Sequence, residues 1–171
     1  TDSAGKVHTT YFCSGFGGMD SIYVRGSLAT DTATTLVTVR VKDLIELGAS
    51  ARYKLIGDKP QHPRNHFGTK KTLDALKMLA DTAYEQFSWV LQYNDISLEN
   101  GGPYDFNSQY YWNTPHQMHR EGRNVDMRIV STSGDTLNQD GWFKDFVERM
   151  LHGRVAQEDT LATNRHFHLS F

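Results

Sequence analysis

Cysteine is almost missing from this chain: Cys13 is the only one in 171 residues, so no intrachain disulfide can form and cysteine usage says nothing about an oxidising compartment. Cys13 itself is expected to be a small buried apolar side chain rather than a reactive thiol. Long apolar runs are missing too. The longest alternating stretch, Leu36 to Val41, is interrupted by Thr38 and Arg40, so no membrane span is expected and the protein reads as soluble. A block of charge of one sign is also absent: 18 basic and 20 acidic side chains are interspersed and leave a net charge of −2, which gives no electrostatic footprint for nucleic acid. Internal repeats, low-complexity tracts and coiled-coil heptads are not visible. The initial residue is Thr1 rather than Met, as expected if a signal peptide, a leading domain or a tag has been removed.

The apolar fraction of 38% and charged fraction of 22% are those of a folded globular protein, and the length allows one domain with a sizeable core and a small appendage. Residues 1–61 read as a β-rich extension or small domain. Ser21 to Gly26 is short and β-rich, and Thr35 to Lys42 alternates Val37, Val39 and Val41 with Thr38, Arg40 and Lys42, which predicts a strand with one buried face. Composition shifts at His62 to Thr69, where Pro63, Asn65 and Gly68 punctuate the chain and Thr69 can cap a helix. His62 and His66 there suit capping or loop roles. From Lys70 to Phe87 the side chains Leu73, Leu76, Leu79, Ala80 and Ala83 recur at three- and four-residue spacing, which predicts a core helix.

Residues 90–98 are apolar enough for a strand, and Glu99 to Pro103 make a turn. Tyr104 to Pro115 form an aromatic-rich loop. Val125 to Val130 predicts a strand, Gly141 to Arg154 a second amphipathic helix, and Arg165 to Phe171 a terminal strand. The resulting fold class is α+β: a central antiparallel sheet with helices on one face, and the β-rich N-terminal extension.

Chemistry is signalled by histidine. Four of the eight histidines fall in two tight groups, His116 with His119 and His166 with His168. Asp126 follows His119 by seven residues, with Gly122 and Asn124 between them and Val125 just before it, so a turn feeding a strand fits better than one helix. In His166-Phe167-His168 the period of two places both imidazoles on one strand face and Phe167 on the other. Imidazole and carboxylate donors suit zinc, and three protein ligands leave a fourth position for water, whose pKa zinc lowers to about 7. His166, beside the ligands, is placed to take a proton or stabilise an oxyanion.

The run Pro115-His116-Gln117-Met118-His119-Arg120-Glu121-Gly122-Arg123-Asn124-Val125-Asp126, with His166-Phe167-His168 downstream, resembles the penicillin-insensitive murein endopeptidases. More broadly it is similar to the group containing the D-alanyl-D-alanine metallopeptidases, the lysostaphin-type endopeptidases and the hedgehog signalling domain. The resemblance covers roughly residues 62–171 and implies a zinc peptidase domain there. It implies one Zn2+ held by His119, Asp126 and His168, catalytic roles for His166 and His116, and a cell-wall murein peptide as substrate. Asn94 to Leu98 and Gly101-Gly102 are similar to the strand and turn leading into the family's site, which places Asp95 and Ser97 on the substrate cleft. Arg123, with Arg120 and Arg128, is a candidate for bidentate pairing to a substrate carboxylate; a solvated or surface-paired arginine is the plainer alternative. The implied location is extracytoplasmic, periplasmic or secreted.

Two departures stand out. The interval from Asp126 to His168 is short, and Thr163 stands near where the murein endopeptidases carry a further histidine. The other readings are a zinc-containing peptide or cell-wall binding module without turnover, and a D-Ala-D-Ala carboxypeptidase or dipeptidase on the same scaffold. Nothing in the sequence specifies an oligomeric state.

Overall fold

Helix α1 (Lys70–Phe87) forms where its apolar spacing predicts. Thr69 is in extended conformation and its side-chain oxygen accepts from the Thr72 amide, which satisfies one of the donors that a helix start leaves without a partner. Thr72, Leu73, Ala75, Leu76, Leu79, Ala80 and Ala83 are its buried stripe, and it ends at Ser88, which adopts a left-handed conformation.

A computed structural model describes residues 3–13, 15–26, 32–60, 63–103, 118–137, 141–158 and 165–171. Ahead of α1 lie β1 (Gly18–Arg25), β2 (Thr32–Val39), β3 (Ile45–Glu46), β4 (Tyr53–Leu55) and β5 (Phe67–Gly68). After it come β6 (Leu91–Tyr93), β7 (Asn124–Arg128), α2 (Trp142–Asp145) with a π-helical continuation at Phe146–Met150, β8 (Arg154–Glu158) and β9 (His166–Ser170). Among the described residues no helix is long and apolar enough to cross a membrane.

The protein is α+β, built on a five-stranded sheet in the order β4-β6-β7-β9-β8. The expectation of an antiparallel sheet needs correction at one edge, because β4 runs parallel to β6. Helix α1 lies between those two strands in the chain, and a helical crossover is the usual way to join parallel neighbours. The other pairings in this sheet are antiparallel.

The core lies on the helix-covered face of the sheet. Val125 and Met127 of β7 and Phe167 and Leu169 of β9 are fully or almost fully buried, and they alternate with polar side chains that face the other way. Tyr93 pairs with Met127 across β6 and β7, and its hydroxyl donates to the Leu76 carbonyl of α1 at 2.6 Å. Phe143 of α2 stacks on Phe167 with ring centroids 4.7 Å apart. Both helices therefore cover one face. Each such fully buried side chain contributes roughly 1.5–3 kcal/mol.

The second helix is shorter than its amphipathic pattern predicts. His152 takes a positive φ of 52°, Gly153 follows, and the chain enters β8, a strand the periodicity did not anticipate. A Cβ at Gly153 would lie 2.9 Å from the Phe171 ring and from the Ser170 carbonyl, so glycine lets the chain pass close against the last strand.

The first sixty residues divide in their pairing. Strands β1 and β2 form an eight-residue antiparallel ladder of their own. Across residue 61, however, β3 pairs with β5 and β4 with β6, and Leu47 and Tyr53 belong to the core. Val37, Val39 and Val41 are only half-buried, since a two-stranded ribbon offers no second layer to enclose them. Cys13 is exposed rather than buried, within an N-terminal stretch that has no strand or helix to pack it.

These placements set two opposite expectations. Leu76→Ala should lower unfolding free energy by about 2–5 kcal/mol, whereas Leu36→Ala, on the exposed side of the ribbon, should stay within about 0.5 kcal/mol of the parent. Urea denaturation of both variants checks this.

Candidate metal centre

Period-two alternation that sends Val125, Met127, Phe167 and Leu169 into the core sends Asp126, His166 and His168 to the opposite face. The β7–β9 register sets Asp126 directly opposite His168, and Arg128 opposite His166. His168 Nδ1 lies 3.0 Å from Asp126 Oδ1, and His166 Nε2 lies 3.6 Å from Asp126 Oδ2.

His119 arrives from outside the sheet, on the turn before β7. That turn passes through Gly122 at φ 68°, where a Cβ would lie 2.6 Å from Leu44 Cδ2 and 2.8 Å from the Gly68 Cα. Only glycine fits there without displacing backbone. The Gly122 carbonyl accepts from the Thr69 amide at 2.9 Å, which ties the turn to the start of α1. His119 Nε2 then lies 3.2 Å from Asp126 Oδ1, and the His119 and His168 rings meet at 65° with centroids 5.2 Å apart. One donor atom from each of His119, Asp126 and His168 falls within 4.8 Å of the others.

Asp126 is held from behind as well. Its carbonyl accepts from Asn94 N at 2.7 Å, and its amide donates to the Asp95 carbonyl at 2.9 Å. The Asp95 side chain is 3% exposed and accepts from the side-chain amides of Asn65 and Asn94.

The second nitrogen of each ligand imidazole also has a partner. His119 Nδ1 faces the Asn124 carbonyl at 3.3 Å, and His168 Nε2 faces Asn124 Oδ1 at 3.3 Å. Both partners are acceptors, so a neutral imidazole facing a cation would carry its hydrogen on that nitrogen. The nitrogens that would then face a cation are His119 Nε2 and His168 Nδ1, the two that point at Asp126.

Electrostatics favour a cation here. Burial alone would raise the Asp126 pKa, but hydrogen bonds from His119 and His168 and the positive charge available to His119 and His166 hold it well below the usual carboxylate range. Burial alone would lower His119, but the Asp126 hydrogen bond and charge, helped by the Asp95 charge and the Asn124 carbonyl, raise it above the ordinary value. The site is thus a buried ionised carboxylate with three imidazoles around it, of which His119 is the one whose protonated form is favoured. A divalent ion would place positive charge beside the same carboxylate, and two imidazole nitrogens with one carboxylate oxygen are donors that suit zinc. The residues present fit such an ion.

Of the residues singled out in the sequence, His119, Asp126 and His168 come together and His166 stands beside them. His116 lies outside the described residues. Asp95 and Ser97 are buried, at 3% and 0% exposure, in the segment whose backbone pairs with Asp126. Arg123 is exposed, with Nε 3.9 Å from Glu121. Sequence reasoning missed Asn124, Asn94 and Asn65. The signal at Asn124 was present, because asparagine is disfavoured within strands and this one opens β7.

Neither the models of known protein families nor the sequences of curated proteins match this chain.

Protein stripped with a chelator should take up one equivalent of Zn2+ by calorimetry, and should gain about 4 kcal/mol of stability when free zinc is 1,000 times its dissociation constant. His119→Ala, Asp126→Asn and His168→Ala should each abolish that uptake, and affinity should weaken as pH falls, because protons compete for the imidazoles. Gly122→Ala should weaken zinc binding by displacing the His119 turn, as measured by the same titration.

Proposed function

We propose that this chain is a zinc-dependent metallopeptidase that hydrolyses peptide bonds of bacterial cell-wall murein, acting outside the cytoplasm. The observation that carries the reading is the convergence of His119, Asp126 and His168 from the turn and two strands, with a further histidine on the same sheet face. Three protein ligands are what catalytic zinc sites use, whereas structural sites close all four positions with side chains. The murein substrate rests on the resemblance of the His119 to Asp126 run and the terminal His-x-His to the murein endopeptidases.

Zinc held by these three residues would supply a Lewis acid for the scissile carbonyl and would lower the pKa of a water to about 7. The chain's own residues supply position and proton handling. Both imidazoles lie against one oxygen of Asp126, the point where an ion would be shared, and its second oxygen lies toward His166. His166, with 13% of its side chain exposed, is half enclosed and beside the carboxylate, suited to hold a proton or to donate a hydrogen bond to a developing oxyanion. The buried Asp95 carboxylate adds negative charge behind His119 and favours a cation in front of it.

Incubation of the zinc-loaded protein with muropeptides, followed by mass spectrometry, tests the reading. Internal cleavage that disappears with chelator is expected. Release of a single terminal residue would make the enzyme a carboxypeptidase, and binding without cleavage would make it a module that does not turn over. His166→Ala should keep its zinc while losing about 100- to 10,000-fold in turnover.

A further inference from the structure

We infer that Asn124 is the positioning residue of the metal centre, setting through one side chain and one carbonyl which nitrogen each ligand histidine presents. The inference rests on the metal-binding reading above and deepens it. Asn124 stands at the first position of β7, with Ser170 as its cross-strand partner on β9. Its Oδ1 accepts from Ser170 Oγ at 2.7 Å and faces His168 Nε2 at 3.3 Å. Its Nδ2 donates to the Met118 carbonyl at 2.7 Å, and its own carbonyl faces His119 Nδ1 at 3.3 Å.

With an ion bound, the two histidines would take opposite tautomers for one reason. His119 meets an acceptor at Nδ1 and is left with Nε2 for the ion; His168 meets an acceptor at Nε2 and is left with Nδ1. The partner of a ligand histidine's far nitrogen orients the ring and raises its basicity, and losing such a partner costs about 10- to 100-fold in metal affinity. Here both far nitrogens answer to a single residue. Its Nδ2 also holds the turn that carries His119, and Ser170 Oγ holds the Oδ1 that faces His168.

Two substitutions separate positioning from plain stability. Asn124→Ala removes the acceptor for His168 and the donor to Met118. Asn124→Asp keeps an acceptor oxygen toward His168 and Ser170 but loses the donor to Met118, so both variants should melt lower than the parent when stripped of metal. Zinc affinity, measured by competition with a chromophoric chelator, should fall about 10- to 100-fold in Asn124→Ala and stay near the parent in Asn124→Asp. Proton NMR of the zinc-loaded parent should show a slowly exchanging imidazole N–H from His168 Nε2. In Asn124→Ala that resonance should vanish while the N–H of His119 Nδ1, bonded to backbone, persists.

Parent-like zinc affinity in Asn124→Ala overturns the inference, as do losses that follow the melting temperatures equally in both variants. Failure of the metal reading is distinguishable, since folded unsubstituted protein would then take up no zinc before any substitution is made, and the inference would fall with it.

Discussion

The centre depends on one rung of one ladder, where Asp126 of β7 faces His168 of β9. An ionised carboxylate that is 8% exposed needs partners on its oxygens, and this one has imidazoles on both: His119 and His168 share Oδ1, and His166 approaches Oδ2. What keeps the rung in place is apolar. Val125, Met127, Phe167 and Leu169 are buried beneath the helices from the same two strands, and slipping the pairing by one residue would exchange the two faces. Hydrophobic burial on one side of the sheet thus enforces the polar geometry on the other.

The turn that brings His119 is tied to a second part of the fold. Thr69 caps α1 with its side chain and donates its own amide to the Gly122 carbonyl. The start of the long helix and the approach of His119 are therefore one packed junction, and the lack of space for a Cβ between Gly122 and Gly68 shows how little room it leaves.

Much of this was legible in the residues because it is local or periodic. Helix α1 and its Thr69 cap follow from three- and four-residue spacing, and β7 and β9 from alternation that also placed the His-x-His pair on one face. The candidate ligands could be read because the histidines fall in two tight groups and the run around them resembles the murein endopeptidase motif. Other parts were hidden for physical reasons. Strands β3, β4 and β5 are two or three residues long, too short to show a period, and the parallel pairing of β4 with β6 is a property of the crossover rather than of either strand. The amphipathic pattern of α2 ran on toward Arg154 and concealed both the turn at His152 and β8. Asp95 and Ser97 were placed on the cleft by the family resemblance, and what the structure adds is that both are buried next to β7. Asn124 was passed over because asparagine carries no period and no charge, and its importance lies wholly in what it touches.

The β7–β9 ladder has one more implication, for how this architecture tolerates change. Its partners meet sideways, through interstrand hydrogen bonds, so the distance between Asp126 and His168 is set by the ladder and not by the number of residues between Arg128 and His166. Closing a longer detour costs only the slow logarithmic growth of loop entropy. Insertions in the connections of that stretch, outside α2 and β8, can therefore reshape its surface while the Asp126–His168 rung is inherited unchanged.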